Sequence, residues 1–256
     1  MTDSHVEAVV DALLRARAEG RPRAAAEFAH SVTTFDEAYA VQAEVARSLR
    51  WFDAEVPLHW KSGGPSRDAV LTHAALPPRG VWASPAQAHD WPFTLRGIEA
   101  EVALRLGRSV GAAQAAALDE VSAAELVEAL AVSIEIVDSR WAEGMAAPAL
   151  LRLADLQSHG ALVLGAWRPY APRDWAHQTC RVSIGTRAAV ERRGTHALGS
   201  PLWGLGAWLR HATREGGVVR AGTVLTTGTW VGVLDAAAGE RVHVEFDGIG
   251  DAEVLL

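Results

Sequence analysis

Lysine is nearly missing from this chain. Of its 24 basic residues one is lysine, Lys61, and the rest are arginine. Cysteine is nearly missing too. The single Cys180 excludes an internal disulfide and any cluster of thiolate metal ligands. It opens the strand-like Cys180-Arg181-Val182-Ser183-Ile184 and reads as a small packing residue. No apolar run approaches the roughly 18 residues that cross a bilayer. The first residues, Met1-Thr2-Asp3-Ser4-His5, carry acid and imidazole where a signal peptide needs basic residues and then an apolar block. A soluble, cytoplasmic protein with no membrane partner is therefore expected. Positive charge is in deficit: the net charge is -7 and no basic stripe appears, which argues against a nucleic-acid partner. HExxH, G-x-S-x-G and P-loop signatures are absent, so zinc proteolysis, serine hydrolysis and nucleoside-triphosphate chemistry have no support. Two tyrosines stand against ten tryptophans, a ratio with no evident physical reason.

A coding bias toward arginine explains the many arginines, because a surface cation can be either type. It does not explain the exception. Arginine is always charged, whereas lysine is a compact ammonium that can lose its proton when buried. A stray survivor of the bias is the plain alternative. The setting, Trp60-Lys61-Ser62-Gly63-Gly64, favours function, since an aromatic precedes the lysine and two glycines let backbone approach a ligand closely. Lys61 is the candidate for proton chemistry or for a small point charge in a tight site.

At 49% apolar, the chain can fill one large core or two small ones. The first third reads helical. Asp3 or Ser4 caps a helix with apolar face Val6, Val9, Val10, Leu13 and Leu14, which Gly20 ends. Thr34 and Glu37 form a capping box for a second helix reaching about Leu49. Residues 76–92, rich in Pro, Gly, Ser and Ala, read as a connecting loop. Period-two alternation over Gly97–Leu106 predicts a strand. Ser122 and Glu125 predict a capped helix running into a β-branched strand at Val132–Asp138. Strands are expected near 161–164, 181–184 and 188–192. A helix follows with Ser200 as cap, Pro201 in its first turn and Gly216-Gly217 after its end. Strands then return near 223–226, 241–246 and 252–256. Helices followed mostly by strands predict an α+β fold, with a helical region over 1–75 and a β-rich core over 76–256, forming one integrated unit.

Glu99 and Glu101 lie two apart in a strand, so both carboxylates share one face. The other face, Ile98, Ala100 and Val102, is apolar. A carboxylate pair turned inward needs compensation, and a hard divalent cation with oxygen ligands supplies it. A solvated strand face is the plain alternative. Glu135, between Ile134 and Ile136, is a third buried acid whose partner is either Arg140 or a metal. Two polar clusters offer substrate contacts: Asp155 and Ser158 in Asp155-Leu156-Gln157-Ser158-His159, and Gly228 and Thr229 in Thr226-Thr227-Gly228-Thr229. Each also reads as an ordinary polar turn. His196 and His211 read as loop and helix-surface residues.

Five segments occur in a known order: Ala38-Tyr39-Ala40-Val41-Gln42, Trp60-Lys61-Ser62-Gly63, Glu99-Ala100-Glu101, Glu135-Ile136-Val137-Asp138-Ser139-Arg140, and a block from Ser200-Pro201-Leu202 through Ala207-Trp208-Leu209 to Leu225-Thr226-Thr227-Gly228-Thr229. They resemble the A-Y-x-V-Q helix, W-K-x-G turn, E-A-E strand, E-I-x-D-S-R segment and H-P-L…A-W-L…L-x-T-G-S/T block of the fumarylacetoacetate hydrolase superfamily. The closer resemblance is to its branch of 2-keto-4-pentenoate hydratases and 4-oxalocrotonate decarboxylases. The resemblance implies N-terminal helices before a largely β, roll-like core, and a Mg2+ or Mn2+ ion on Glu99, Glu101 and Glu135 with Lys61 beside it. It implies a small 2-oxo acid as substrate, as in meta-cleavage aromatic catabolism, and a homo-oligomer, alone or paired with a paralogous enzyme. Hydration ranks ahead of decarboxylation, with C–C hydrolysis third. A non-catalytic oxo-acid-binding or partner subunit is the alternative of another class. The chain departs from the pattern at Leu156, where the branch has asparagine in A-D-N-x-S. It departs again after Lys61, and at Gly80–Ser84, which lacks the expected acids. The ligand set is intact and the substrate pocket is altered.

Overall fold

The computed structural model describes residues 4–53, 56–88 and 90–256. Asp3, one of the two expected caps of the first helix, lies outside them. Helix α1 (Ser4–Glu19) buries Val6, Val9, Val10 and Leu13, the expected stripe, and the chain turns at Gly20 with φ 62°. Helix α2 (Phe35–Ser48) starts at the expected capping box: Thr34 Oγ1 accepts from the Glu37 amide at 3.2 Å, and the Glu37 carboxylate accepts from the Thr34 amide at 3.1 Å.

After α2 the chain leaves the helical expectation. It forms β1 (His59–Gly63) and β2 (Thr72–Ala75). The presumed loop at 76–92 contains β3 (Val81–Ala83) and β4 (Ala86–Gln87). Both pair in parallel with strands far along the chain, so local composition carries no sign of them. Strand β5 (Gly97–Leu106) follows, then two short helices, α3 (Ala112–Ala117) and α4 (Glu120–Ala124). The cap of α4 is Asp119, not Ser122. Ser122 sits inside the helix as the reciprocal partner of the box, and Glu125 ends it. Strand β6 (Val127–Val137) begins earlier than expected for the same reason.

Helix α5 (Ala149–Ala154) precedes β7 (His159–Leu164), β8 (Arg168–Pro169), β9 (Thr179–Ile184) and β10 (Val190–Arg193). Helix α6 (Leu205–Ala212) is shorter than its punctuation suggests, because residues 200–204 form turns. Strands β11 (Val224–Thr226), β12 (Leu234–Asp235), β13 (Arg241–Phe246) and β14 (Gly250–Leu255) complete the chain.

The larger sheet runs β2-β1-β11-β5-β6-β7-β3, with β12 on β5 and β8 on β6; the smaller runs β10-β9-β13-β14-β4. The expected α+β class holds. Ile98, Ala100 and Val102 of β5 and Ile134 and Ile136 of β6 point into a core shared with Val182, Val244 and Val254 of the smaller sheet. Because side chains alternate along a strand, the intervening Glu99, Glu101, Ser133 and Glu135 are left on the other face. A second core joins Val9 and Leu13 of α1, Val41 and Val45 of α2, Trp141 and Leu151. Cys180 is fully buried, as a packing residue should be.

Candidate metal and proton-transfer centre

The site is assembled by strand register. On adjacent antiparallel strands β5 and β6, Glu99 pairs directly with Glu135, and Glu101 with Ser133. Like charges facing each other across a ladder repel, and nothing in local strand propensity favours this pairing. On the far side of β5, β11 places Thr226 against Ala103, and β1 runs parallel to β11 with Lys61 opposite Thr226. Three glutamates and the single lysine, drawn from residues 61 to 135, thus share one patch of sheet. One carboxylate oxygen from each of Glu99, Glu101 and Glu135 lies within 4.8 Å of the others.

Lys61 Nζ donates to Glu135 Oε1 at 2.5 Å and to the Gln157 carbonyl at 3.3 Å. His159 Nδ1 lies 2.9 Å from the same Oε1; as that oxygen is an acceptor, Nδ1 carries the proton and Nε2 does not. Thr226 Oγ1 donates to Glu101 Oε2 and is 2.9 Å from Ser133 Oγ. Glu135 is fully buried and Glu101 is 2% exposed, so the solvated-face alternative falls away. Arg140, the other candidate partner of Glu135, binds Asp155 instead.

Burial, with repulsion from Glu135 and Glu101, lifts Glu99 to about 8; burial and Glu135 lift Glu101 to about 7. Burial would lift Glu135 as well, but Lys61 and the hydrogen bond from His159 outweigh it and hold that carboxyl below its ordinary value. Burial would lower Lys61, yet the fields of Glu135, Glu99 and Glu101 prevail and its pKa is raised. A lysine poised by a lowered pKa is therefore not what the protein alone provides.

The cluster opens into a cavity of about 870 Å³ lined by Lys61, Glu99, Glu101, Gln157, Gly228 and Thr229 among others. Asp155 and Ser158 do not line it. Asp155 is fully buried in an ion-pair group, where Oδ1 accepts from Arg140 Nε at 2.6 Å and from Arg17 at 3.0 Å, and Oδ2 from the Arg140 amide at 2.9 Å. Ser158 Oγ is buried away from the cavity and has no hydrogen-bond partner. Of the four residues expected to contact substrate, Gly228 and Thr229 line the cavity.

Two histidines carry no site role in the sequence reading: His159 stands in a polar cluster and His196 reads as a loop residue. His196 is buried, lines the cavity and makes a 2.8 Å hydrogen bond from Nε2 to the Thr227 carbonyl. Burial depresses it to about 4, so it is neutral. His159 braces Glu135 from behind. Neither sits in a spacing that signals a role, and only the fold brings them in. His211, expected on a helix surface, instead stacks between Tyr39 and His73 at ring distances of 4.4 and 4.7 Å.

The turn after α5 is unusual. Leu156, Gln157 and Ser158 are all left-handed, with φ of 53°, 55° and 59°. Non-glycine residues resist this conformation by about 1–2 kcal/mol each, and asparagine resists least. The turn aims Gln157 at the cavity: its carbonyl receives Lys61, its Nε2 donates to Thr72 Oγ1, and its Oε1 is buried without a partner.

A family model, the C-terminal region of fumarylacetoacetate (FAA) hydrolase, matches residues 71–255. The chain belongs to the fumarylacetoacetate hydrolase family. Within it, 2-keto-4-pentenoate hydratase 1 of Dechloromonas aromatica (strain RCB) is 30% identical over 260 residues, covering 97% of this chain and 96% of its own. A 4-oxalocrotonate decarboxylase of a Pseudomonas species is 30% identical over 125 residues, or 48% of each chain. The solved 4-oxalocrotonate decarboxylase from Pseudomonas putida G7, complexed with magnesium and adipate, superposes with a TM-score of 0.83 at 18% identity over 100% of this chain and 98% of that one. This establishes the family fold for the helices as well as the core. No helix of the described residues is long and apolar enough to cross a membrane.

Proposed function

We propose that this fumarylacetoacetate hydrolase family member is a divalent-metal-dependent lyase that hydrates a small unsaturated 2-oxo acid presented as its 2-hydroxydienoate. The observation that carries the proposal is the meeting of three carboxylates and the lone lysine on one sheet face inside an open cavity. The residues fit a cation. Glu135 Oε2 is buried and has no hydrogen-bond partner, and three crowded carboxylates face a single ammonium. The donor set is all oxygen, the preference of Mg2+ or Mn2+. Glu99, Glu101 and Glu135 would hold the ion, which supplies Lewis acidity to the substrate's carboxylate and 2-oxo oxygens.

The protein's own part is proton handling and positioning. A divalent ion on the three carboxylates would offset most of their charge, weakening the fields that raise the Lys61 pKa and letting burial, which lowers it, count for more. Lys61 Nζ would take the 2-hydroxyl proton of the dienol and return it to C5, giving the unsaturated ketone, and would then take a proton from the water that adds at C4 and return it to C3. His159 fixes Glu135 from behind, as a residue behind a ligand does. His196 fixes the Thr227 carbonyl, so the backbone of Gly228 and Thr229 keeps a set position at the cavity wall.

Decarboxylation is the second reading. It uses the same residues on a substrate with a further carboxylate, and Arg152 in the cavity lining offers a cation for that group. Incubation with a 2-hydroxydienoate and with its carboxylated analogue, each with magnesium, separates the two. A hydrated product from the first supports the proposal. Carbon dioxide from the second reverses the ranking, and turnover of neither ends both readings. The working form is proposed to be a cytoplasmic homo-oligomer.

A further inference from the structure

The acidic cluster occupies one part of its cavity. At about 870 Å³ the whole space stands high in the range of about 300–1,000 Å³ that buries most of a drug-sized ligand. A pentenoate of the kind named for the relatives would leave much of it empty. The remaining wall is mostly apolar, with Thr33, Thr34, Thr72 and Arg152 also in the lining. Leu153 of α5 is buried at 3% exposure and Leu150 stands beside it on the wall. Toward solvent the wall continues through Phe35, Val70 and Met145, which are 42%, 66% and 42% exposed. These three come from separate places: the first residue of α2, the connection from β1 to β2, and the Gly144–Ala146 turn. Apolar residues scattered singly over a surface need no explanation, but a contiguous set around one opening marks a ligand or partner site. Among the described residues that line the cavity, the one arginine, Arg152, donates from Nε to the Ala147 carbonyl at 3.1 Å.

We propose that the substrate is a 2-oxo acid with a bulky apolar tail, alkyl or aryl, and that Phe35, Val70, Met145, Leu150 and Leu153 hold that tail. The inference rests on the reading of the inner site as a metal-held 2-oxo-acid centre.

Binding calorimetry of the magnesium-loaded protein with three unreactive saturated acids tests it: 2-oxopentanoate, the same acid with a terminal phenyl group, and 2-oxoadipate. Burying the phenyl group should tighten binding roughly ten- to hundred-fold over 2-oxopentanoate. Phe35→Ser and Val70→Ser, both at exposed positions, should shrink that ratio toward one. The ratio is internal to each protein, so a partial loss of folded material cancels. Equal magnesium-dependent affinity for all three acids overturns the tail site and leaves the metal-held reading standing. Tightest binding of 2-oxoadipate, lost in Arg152→Met, overturns it in favour of a diacid. If the serine variants change the particle mass by light scattering and leave the ratio alone, the apolar mouth is a contact between copies and the inference falls. If no acid binds in a magnesium-dependent way, the inner reading and the tail fall together.

Discussion

Between Glu135 and Arg140 the chain serves two buried charge clusters of different make-up. On one side Asp138 and Asp155 meet Arg140 and Arg17, two carboxylates against two guanidiniums. Their oxygens are taken up: Asp138 Oδ1 accepts from the Thr94 and Leu95 amides at 3.0 and 2.7 Å, and both Asp155 oxygens are bound. On the other side Glu99, Glu101 and Glu135 meet Lys61 alone, and Glu135 Oε2 has no partner. The first cluster is balanced in charge, although Arg17 Nε has no hydrogen-bond partner, and it holds α1, the segment after β6 and the turn after α5 together. The second is incomplete and asks for a cation. Both contain carboxylates and both are buried, so charge balance, more than burial, separates the two clusters.

The comparison can be broken most decisively at Arg140. Arg140→Met leaves two buried carboxylates without their main partner, and urea unfolding should show a loss of about 3–5 kcal/mol. A loss below about 1 kcal/mol would mean the balanced cluster is not structural. Next comes Lys61. Lys61→Arg keeps charge but loses the titratable ammonium, and Lys61→Met loses both. Each should reduce kcat by ~100-fold or more while the fold persists in circular dichroism. Near-native kcat in Lys61→Arg would reduce the lysine to a fixed charge.

The unbalanced cluster also predicts a pH signature. Folding raises Glu99 to about 8 and Glu101 to about 7 from an ordinary 4.5. Between those limits the folded state holds protons that the unfolded state has released. The stability contributed is greatest at the acid end and is lost as pH rises through 7 and 8. Metal-free protein should therefore melt at progressively lower temperature from pH 5.5 to about 8.5, and magnesium should restore more at the alkaline end while releasing protons. Glu99→Gln should flatten the slope; an unchanged slope would place the proton uptake elsewhere. A smaller effect is expected behind the ligand. His159→Asn removes the brace on Glu135 and should weaken magnesium affinity by about 10–100-fold; unchanged affinity would make His159 a packing residue. The least change is expected at Leu156→Asn. Relief of the left-handed strain, about 1–2 kcal/mol, opposes the loss of a buried leucine, about 1.5–3 kcal/mol. Urea unfolding should move by no more than about 2 kcal/mol, and a larger loss would mean that the turn depends on the leucine.

Much of the acidic cluster was legible because strand periodicity places Glu99 and Glu101 on one face, and because Glu135 stands in an apolar run. Lys61 was legible through its rarity. The strand that carries it was not. β1 is short, lies between β2 and β11, and has its parallel partner more than half the chain away, so no local period announces it. Parallel partners elsewhere in the chain likewise hid β3, which pairs with β7, and β4, which pairs with β14. Asp155 misled because an acid beside amide, hydroxyl and imidazole resembles a binding turn, whereas its partners, Arg17 and Arg140, are set by tertiary packing. His159 and His196 matter through what they touch across strands and loops, a property that a linear motif does not carry.

The parallel pairing of Lys61 with Thr226 bears on the order in which the molecule is made. A parallel partner cannot be reached by a hairpin; the chain between must first fold around it. β11 belongs to the last part synthesised, so β1 has no neighbour on that side until most of the chain has emerged. Contacts of such long sequence separation are slow to form. The antiparallel β5–β6 pair, with its apolar face and its opposed glutamates, can form from neighbouring sequence well before the lysine strand docks against β11. The register therefore predicts a nascent stage in which the β5–β6 glutamates are paired and Lys61 has not yet docked against β11.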